Sequence, residues 1–270
     1  MKYNIILFII LTASFSYAVP GDTIGTWCPS GNSNPRGLAR IWDENAIWVA
    51  GPVTNNNCTY AKLDNIDHSI LQDWQQLSGA YWCMDIGYPY MYDNKETIIV
   101  IDSISPRLKL YDPDDGSYLG YIPDPFDSGI IEGCGSDLDT NNVYVSNYSS
   151  TIIKEWNGSS WGDFTNCPGS PCMGVAVGWG HVMVITAQYD YSIHIFSMDG
   201  DHKCDIDLQS WGTQYMVGLC CAHENIVGGN ESVYTAVYYP DNCIKEIEIE
   251  DIWEGTVAPS SVGGIKAIFH

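Results

Sequence analysis

The sequence is poor in positive charge. Eleven Lys and Arg stand against 33 Asp and Glu in 270 residues, a formal net charge of −22. Proteins that grip nucleic acid by its backbone cluster their basic residues, and here there are too few to cluster. An anionic membrane surface is an unsuitable partner for the same reason. Apolar runs are also short: none approaches the roughly 18 residues of a membrane helix, so no membrane insertion is expected. There is no P-loop, HExxH or dinucleotide fingerprint. No CxxC occurs, and no Cys/His pair has zinc-finger spacing. The remaining possibilities do not include a disordered acidic tail, because 45% of residues are apolar and 13% aromatic, enough for a real core.

The first residues read as a processing segment. Lys2 precedes the apolar run Ile5 to Leu11, and Ser16-Tyr17-Ala18 places small residues before a cut at Val19. That layout is a secretory signal peptide over 1–18, and the mature chain is expected to be secreted, extracellular or periplasmic. Export changes how the ten cysteines read, since an even number in an oxidising compartment favours disulfides. Cys167 and Cys172 flank a short Pro-Gly-Ser-Pro loop and are one candidate pair.

Three short patterns recur in fixed order. Small, glycine-rich triplets start at Gly37, Asp85, Gly133, Gly174 and Gly218, at steps of 48, 48, 41 and 44. Each is followed by a β-branched and aromatic run, such as Ile47 to Ala50 or Ile98 to Ile101. An alternating strand comes next, with one basic residue expected to face outward: Lys62, Lys109, Lys154, His194 and Lys245. A period near 45 with several short strands per unit is the signature of a β-propeller. The triplets suit the crowded innermost strand, and the second run is covered on both faces by neighbouring blades.

The fold class is therefore all-β: a single propeller of five blades, each of four antiparallel strands, with six blades as the alternative. The domain runs over 19–257, with blades near 36–79, 80–129, 130–169, 170–214 and 215–252, and a tail over 258–270. Segment 22–28 is a candidate to complete the last blade, its rival being Ile252 to Gly255. If 22–28 does so, Cys28 falls beside Cys243, and a disulfide there would lock the ring.

The order Gly-Leu-Ala, Ile-Trp-Val-Ala, Tyr-Ala-Lys-Leu-Asp resembles the blades of secreted bacterial propellers with NHL-like or YVTN-like repeats, over about residues 22–252. The resemblance implies a fold and little about chemistry, since such propellers include binding, scaffolding and enzymatic members.

Functional groups on a propeller are sought where inner strands meet at the channel. Arg40, Asp137 and His223 fall there, as do the carboxylates Asp85 and Glu132 on neighbouring blades. Tyr88-Pro89-Tyr90-Met91-Tyr92 reads as a loop after an inner strand, with Tyr88, Tyr90 and Tyr92 as a binding rim. Trp179 and Tyr189 are further aromatics of blade 4. The expected function is a non-enzymatic module holding a carbohydrate, peptide or partner protein at the channel mouth, as a monomer. One alternative is a glycoside-active enzyme that uses Asp85 and Glu132 as its carboxylate pair. The other is a structural exoprotein attached through its tail. Cys134, Cys220, Cys221 and His223 are donors a soft metal takes, but buried thiols or disulfides are preferred, so no metal is assigned. The turns Asp112 to Gly116 and Asp137 to Asn141 offer oxygens of the kind calcium uses. Neither meets the EF-hand pattern, so calcium has no support and no cofactor is assigned.

Overall fold

A computed structural model describes residues 20–249, apart from 32–33, 55–56, 106, 188–189, 212–213, 225–230 and 240. The expected signal segment, Tyr189, the rival strand at Ile252 and the tail lie outside the described residues.

Among the described residues, twenty strands form five four-stranded antiparallel sheets. The first strand in the chain, β1 (Thr23–Trp27), belongs to the last blade. Blade 1 holds β2 (Gly37–Ile41), β3 (Ala46–Thr54), β4 (Asn57–Asp64) and β5 (Ile70–Gln76). Blade 2 holds β6 (Cys83–Tyr92), β7 (Lys95–Asp102), β8 (Leu108–Tyr111) and β9 (Tyr118–Ile122). Blade 3 holds β10 (Ile131–Ser136), β11 (Val143–Asn147), β12 (Ser150–Trp156) and β13 (Trp161–Asn166). Blade 4 holds β14 (Cys172–Gly178), β15 (His181–Thr186), β16 (Ser192–Ser197) and β17 (His202–Asp207). Blade 5 holds β18 (Tyr215–Glu224), β19 (Glu231–Tyr239) and β20 (Cys243–Glu248), with β1 as its outermost strand. The inner strands β2, β6, β10, β14 and β18 touch in a closed ring.

The second strands form the core because both faces are covered: Ile98 to Ile101 and Val182 to Ile185 are fully buried. Ring closure follows the first alternative, with Trp27 opposite Ile244 and Thr26 opposite Lys245. Cys28 and Cys243 form a disulfide across a sequence separation of 215. The other eight cysteines are buried free thiols, Cys167 and Cys172 among them. The short loop between these two does not carry the expected bridge: the Cys172 thiol points at the Gly169 carbonyl, 3.5 Å away.

Two expectations need correction. Tyr88 to Tyr92 is not a loop. It extends β6 and pairs with β7 through Tyr92 opposite Lys95, with an irregular register between Gly87 and Tyr90 that accommodates Pro89. Nor do all the repeat's basic residues face outward. Lys109 and His194 are buried, because each basic side chain meets a carboxylate of its own blade. Lys62 pairs with Glu44, Lys109 with Asp102 at 2.6 Å, Lys154 with Asp163, His194 with Asp205 at 2.6 Å, and Lys245 with Asp241 at 3.8 Å. A paired and hydrogen-bonded charge tolerates burial that a lone one does not.

Candidate functional site

The axis is built from the triplets. Four of the five start with glycine, and the contacts explain why. A Cβ on Gly133 would stand 2.0 Å from the Met173 carbonyl oxygen, and one on Gly218 would stand 2.0 Å from that of Arg36. Backbones of adjacent blades therefore pass where a side chain would sit. Asp85 takes the fifth place and is fully buried. Its Oδ1 accepts the N–H groups of Leu38 (3.3 Å) and Ile86 (2.9 Å), and its Oδ2 accepts that of Cys134 (3.0 Å). One carboxylate thus ties the inner strands of blades 1, 2 and 3. Burial pushes its pKa well above the usual carboxylate range, against the pull of these three donors.

Glu132 lies one residue before the glycine level, almost wholly buried, with Oε2 lacking a partner among the described residues. Burial pushes its pKa up to about 7, and the Arg36 charge opposes that rise. Arg36 is held by rings, its guanidinium 4.2 Å from the centroid of Tyr238 and 5.1 Å from that of Trp82. Its Nη1 donates to the Met84 sulfur at 3.6 Å. The two sequence-derived carboxylates are thus both axial, but Asp85 is committed to backbone amides.

The other end of the inner strands opens. Arg40, Tyr88, Ser136, Val177 and Cys221 line a small recess at the axis. It adjoins a cavity of ≈ 420 Å³ bounded by Trp42, Asp137, Leu138, Thr140, Trp179 and Met198, among others. Trp42 and Trp179 meet edge to face with centroids 5.7 Å apart, and the Arg40 guanidinium lies 5.5 Å from the Trp42 ring. Arg40 donates from Nη2 to Asn45 Oδ1 at 2.8 Å. Its Nε and Nη1, and the Ser136 hydroxyl, are buried without a partner among the described residues. Burial pulls the Arg40 pKa down from its ordinary value.

Trp179 and Gly180 turn the hairpin between β14 and β15 with φ of 49° and 72°. A tryptophan in the left-handed region is uncommon, and such strain is found more often where a side chain must be aimed.

Of the sequence candidates, Arg40, Tyr88 and Asp137 come together at this mouth. Tyr88 also donates its hydroxyl to Glu96 and packs against Trp48. Tyr90 does not join the rim: it is buried and accepts the Trp156 Nε1–H at 3.3 Å. Tyr92 packs over Gly120 of β9. His223 belongs to β18, and its side chain lies outside the described residues. Trp42 and Ser136 were missed in the sequence, although a signal existed: Trp42 and Trp179 each stand five residues after a triplet's glycine.

No protein-family model matches the chain, and no curated protein matches it. Solved structures do. A chain of a nidogen/laminin complex is 13% identical, with a TM-score of 0.52 over 81% of both chains. Glutaminyl cyclase of Myxococcus xanthus is 8% identical, with a TM-score of 0.58 over 85% of this chain and 97% of that one. The tail fiber of Staphylococcus aureus phage P68 is 10% identical, with a TM-score of 0.54; the match covers 86% of this chain and 54% of the fiber. The likeness is one of fold. It agrees with the five-bladed propeller and assigns no chemistry.

Proposed function

We propose that this chain is an exported binding propeller that holds a carbohydrate at the open mouth of its inner strands. The cavity beside Trp42 and Trp179 carries the reading. Aromatic faces offer the apolar side of a sugar ring a surface to stack on, and pockets that bind small molecules combine such walls with a few placed polar groups. Here those groups are the Ser136 hydroxyl and the Asp137 carboxylate on the cavity wall, with Arg40 in the adjoining recess. The strained turn under Trp179 supports the same site. A peptide or partner protein would use the same features, and the propeller in the nidogen/laminin complex belongs to a protein assembly.

The test is a glycan array followed by titration of tryptophan fluorescence. Binding to a glycan class is expected, weakened about 2- to 13-fold by Trp179→Ala, in line with about 0.5–1.5 kcal/mol for an aromatic contact. Binding only to peptides or proteins defeats the carbohydrate assignment. Turnover in a glycosidase panel that Glu132→Gln abolishes defeats the binding reading altogether.

A further inference from the structure

Blade 4 departs from the repeat at one place. In the other four blades the third strand carries a lysine paired with a carboxylate. At the corresponding place on β16 stands His194, and its carboxylate, Asp205 of β17, is shared with a second imidazole. His194 Nδ1 and His202 Nε2 each lie 2.6 Å from the same Asp205 oxygen, Oδ1. The three donor atoms all fall within 4.8 Å of one another.

The backbone accounts for the convergence. His194 lies opposite Asp205 in the ladder, and His202 opposite Phe196. Residues three apart on a regular strand point to opposite faces. The ladder is irregular between Ile195 and Phe196, and an extra residue in a bulge re-aims the side chains beside it. His202 is thereby brought to the side of Asp205, its ring edge-on to Phe196 with centroids 5.4 Å apart.

A second observation points to a ligand. The far nitrogen of His194, Nε2, lies 3.2 Å from Asp190 Oδ2, and Asp190 is itself held by the Ser192 hydroxyl at 2.8 Å. Metal-bound histidines characteristically donate their outer N–H to a carboxylate, which fixes the tautomer and aims the inner nitrogen at the ion. His194 is almost wholly buried, whereas the Asp205 side chain is about a third exposed, so one side of the cluster faces solvent.

We propose that His194 Nδ1, His202 Nε2 and Asp205 Oδ1 bind a divalent transition-metal ion, Zn²⁺ by the chemistry of the donors, with Asp190 as a positioning residue. Two imidazoles and a carboxylate are a zinc donor set, and the exposed side leaves the fourth position to water. A metal takes the unprotonated nitrogens, so the ion would stand in place of the hydrogen bonds that His194 Nδ1 and His202 Nε2 now share with Asp205 Oδ1. It would cross-link the two outer strands of blade 4.

The experiment uses the full chain, stripped with a chelator and titrated with Zn²⁺ against a chromogenic indicator; Co²⁺ is then added to read the absorption bands of a tetrahedral site. Saturable binding of one ion per chain is expected. His202→Ala should weaken it by well over tenfold, and Asp190→Asn by about tenfold or more. His194→Lys restores the lysine of the other four blades; it is expected to fold, by circular dichroism, and to lose the ion. Zinc affinity unchanged in the folded His194→Lys chain, or no saturable binding by the wild type, overturns the proposal.

Discussion

Glu132 stands in the ring one residue before the glycine level, under the charge of a guanidinium already engaged by two aromatic rings and a thioether. Its environment sets a pH dependence with a definite sign. The ordinary pKa of 4.5 rises to about 7 in the fold. The folded chain therefore holds this proton more tightly than the unfolded one. Its favourable contribution is complete below about pH 4.5 and is lost as the pH rises through about 7. The full difference is about 3 kcal/mol. Glu132→Gln, neutral at every pH, should therefore gain stability on the wild type between those limits and hold the gain above them. Urea unfolding of both chains at pH 4 and pH 8 measures it; parallel profiles would refute the account. That Glu132 and Asp85 are axial was legible in the sequence, because they stand at and beside a position the repeat marks with glycine. Their partners were not. Asp85 is held by backbone amides of strands 47 and 49 residues away, and Arg36 falls outside every recurring pattern.

At the scale of the strand, the repeat specified spacing more firmly than edges. Inner strands were readable because close backbone approach leaves a compositional trace. The cost of breaking that trace is predictable. Gly133→Ala places a Cβ on a backbone oxygen that cannot move aside, and overpacking of this kind costs about 1–3 kcal/mol. Gly162 of β13 has open space where its Cβ would go. Gly162→Ala should be neutral or stabilising by up to about 1 kcal/mol, since glycine weakens a strand interior. Chemical denaturation of the two variants checks the contrast, and equal midpoints would contradict it. The Tyr88–Tyr92 extension was illegible for a physical reason. Proline is expected to end a strand, and only the register irregularity at Gly87 and Tyr90 lets β6 continue past it. His202 is a similar case: its alignment with Asp205 exists only because of the irregularity in the β16–β17 ladder.

For the whole molecule, a ring made by one chain must be closed by joining its two ends. Here the join is β1 on β20, the first described strand beside the last, and the Cys28–Cys243 bond is the direct covalent tie between β1 and the rest of blade 5. The separation of 215 residues makes this cross-link act on nearly the entire unfolded chain. By loop-closure entropy, restricting a loop of that length is worth about 5 kcal/mol, comparable to the whole stability of many domains. The remaining eight cysteines are buried, and burial raises the pKa of most of them, among them Cys83, Cys134 and Cys221. Mild reduction of the native protein should therefore open this bond selectively, with two thiols becoming reactive. The Cys28→Ser, Cys243→Ser chain should unfold at lower guanidinium concentration by up to about 5 kcal/mol. Hydrogen exchange should show β1 and β20 losing protection before the inner strands do. If the double variant kept the wild-type midpoint, the β1–β20 ladder alone would be closing the ring, and the sequence separation of the cysteines would carry no energetic weight.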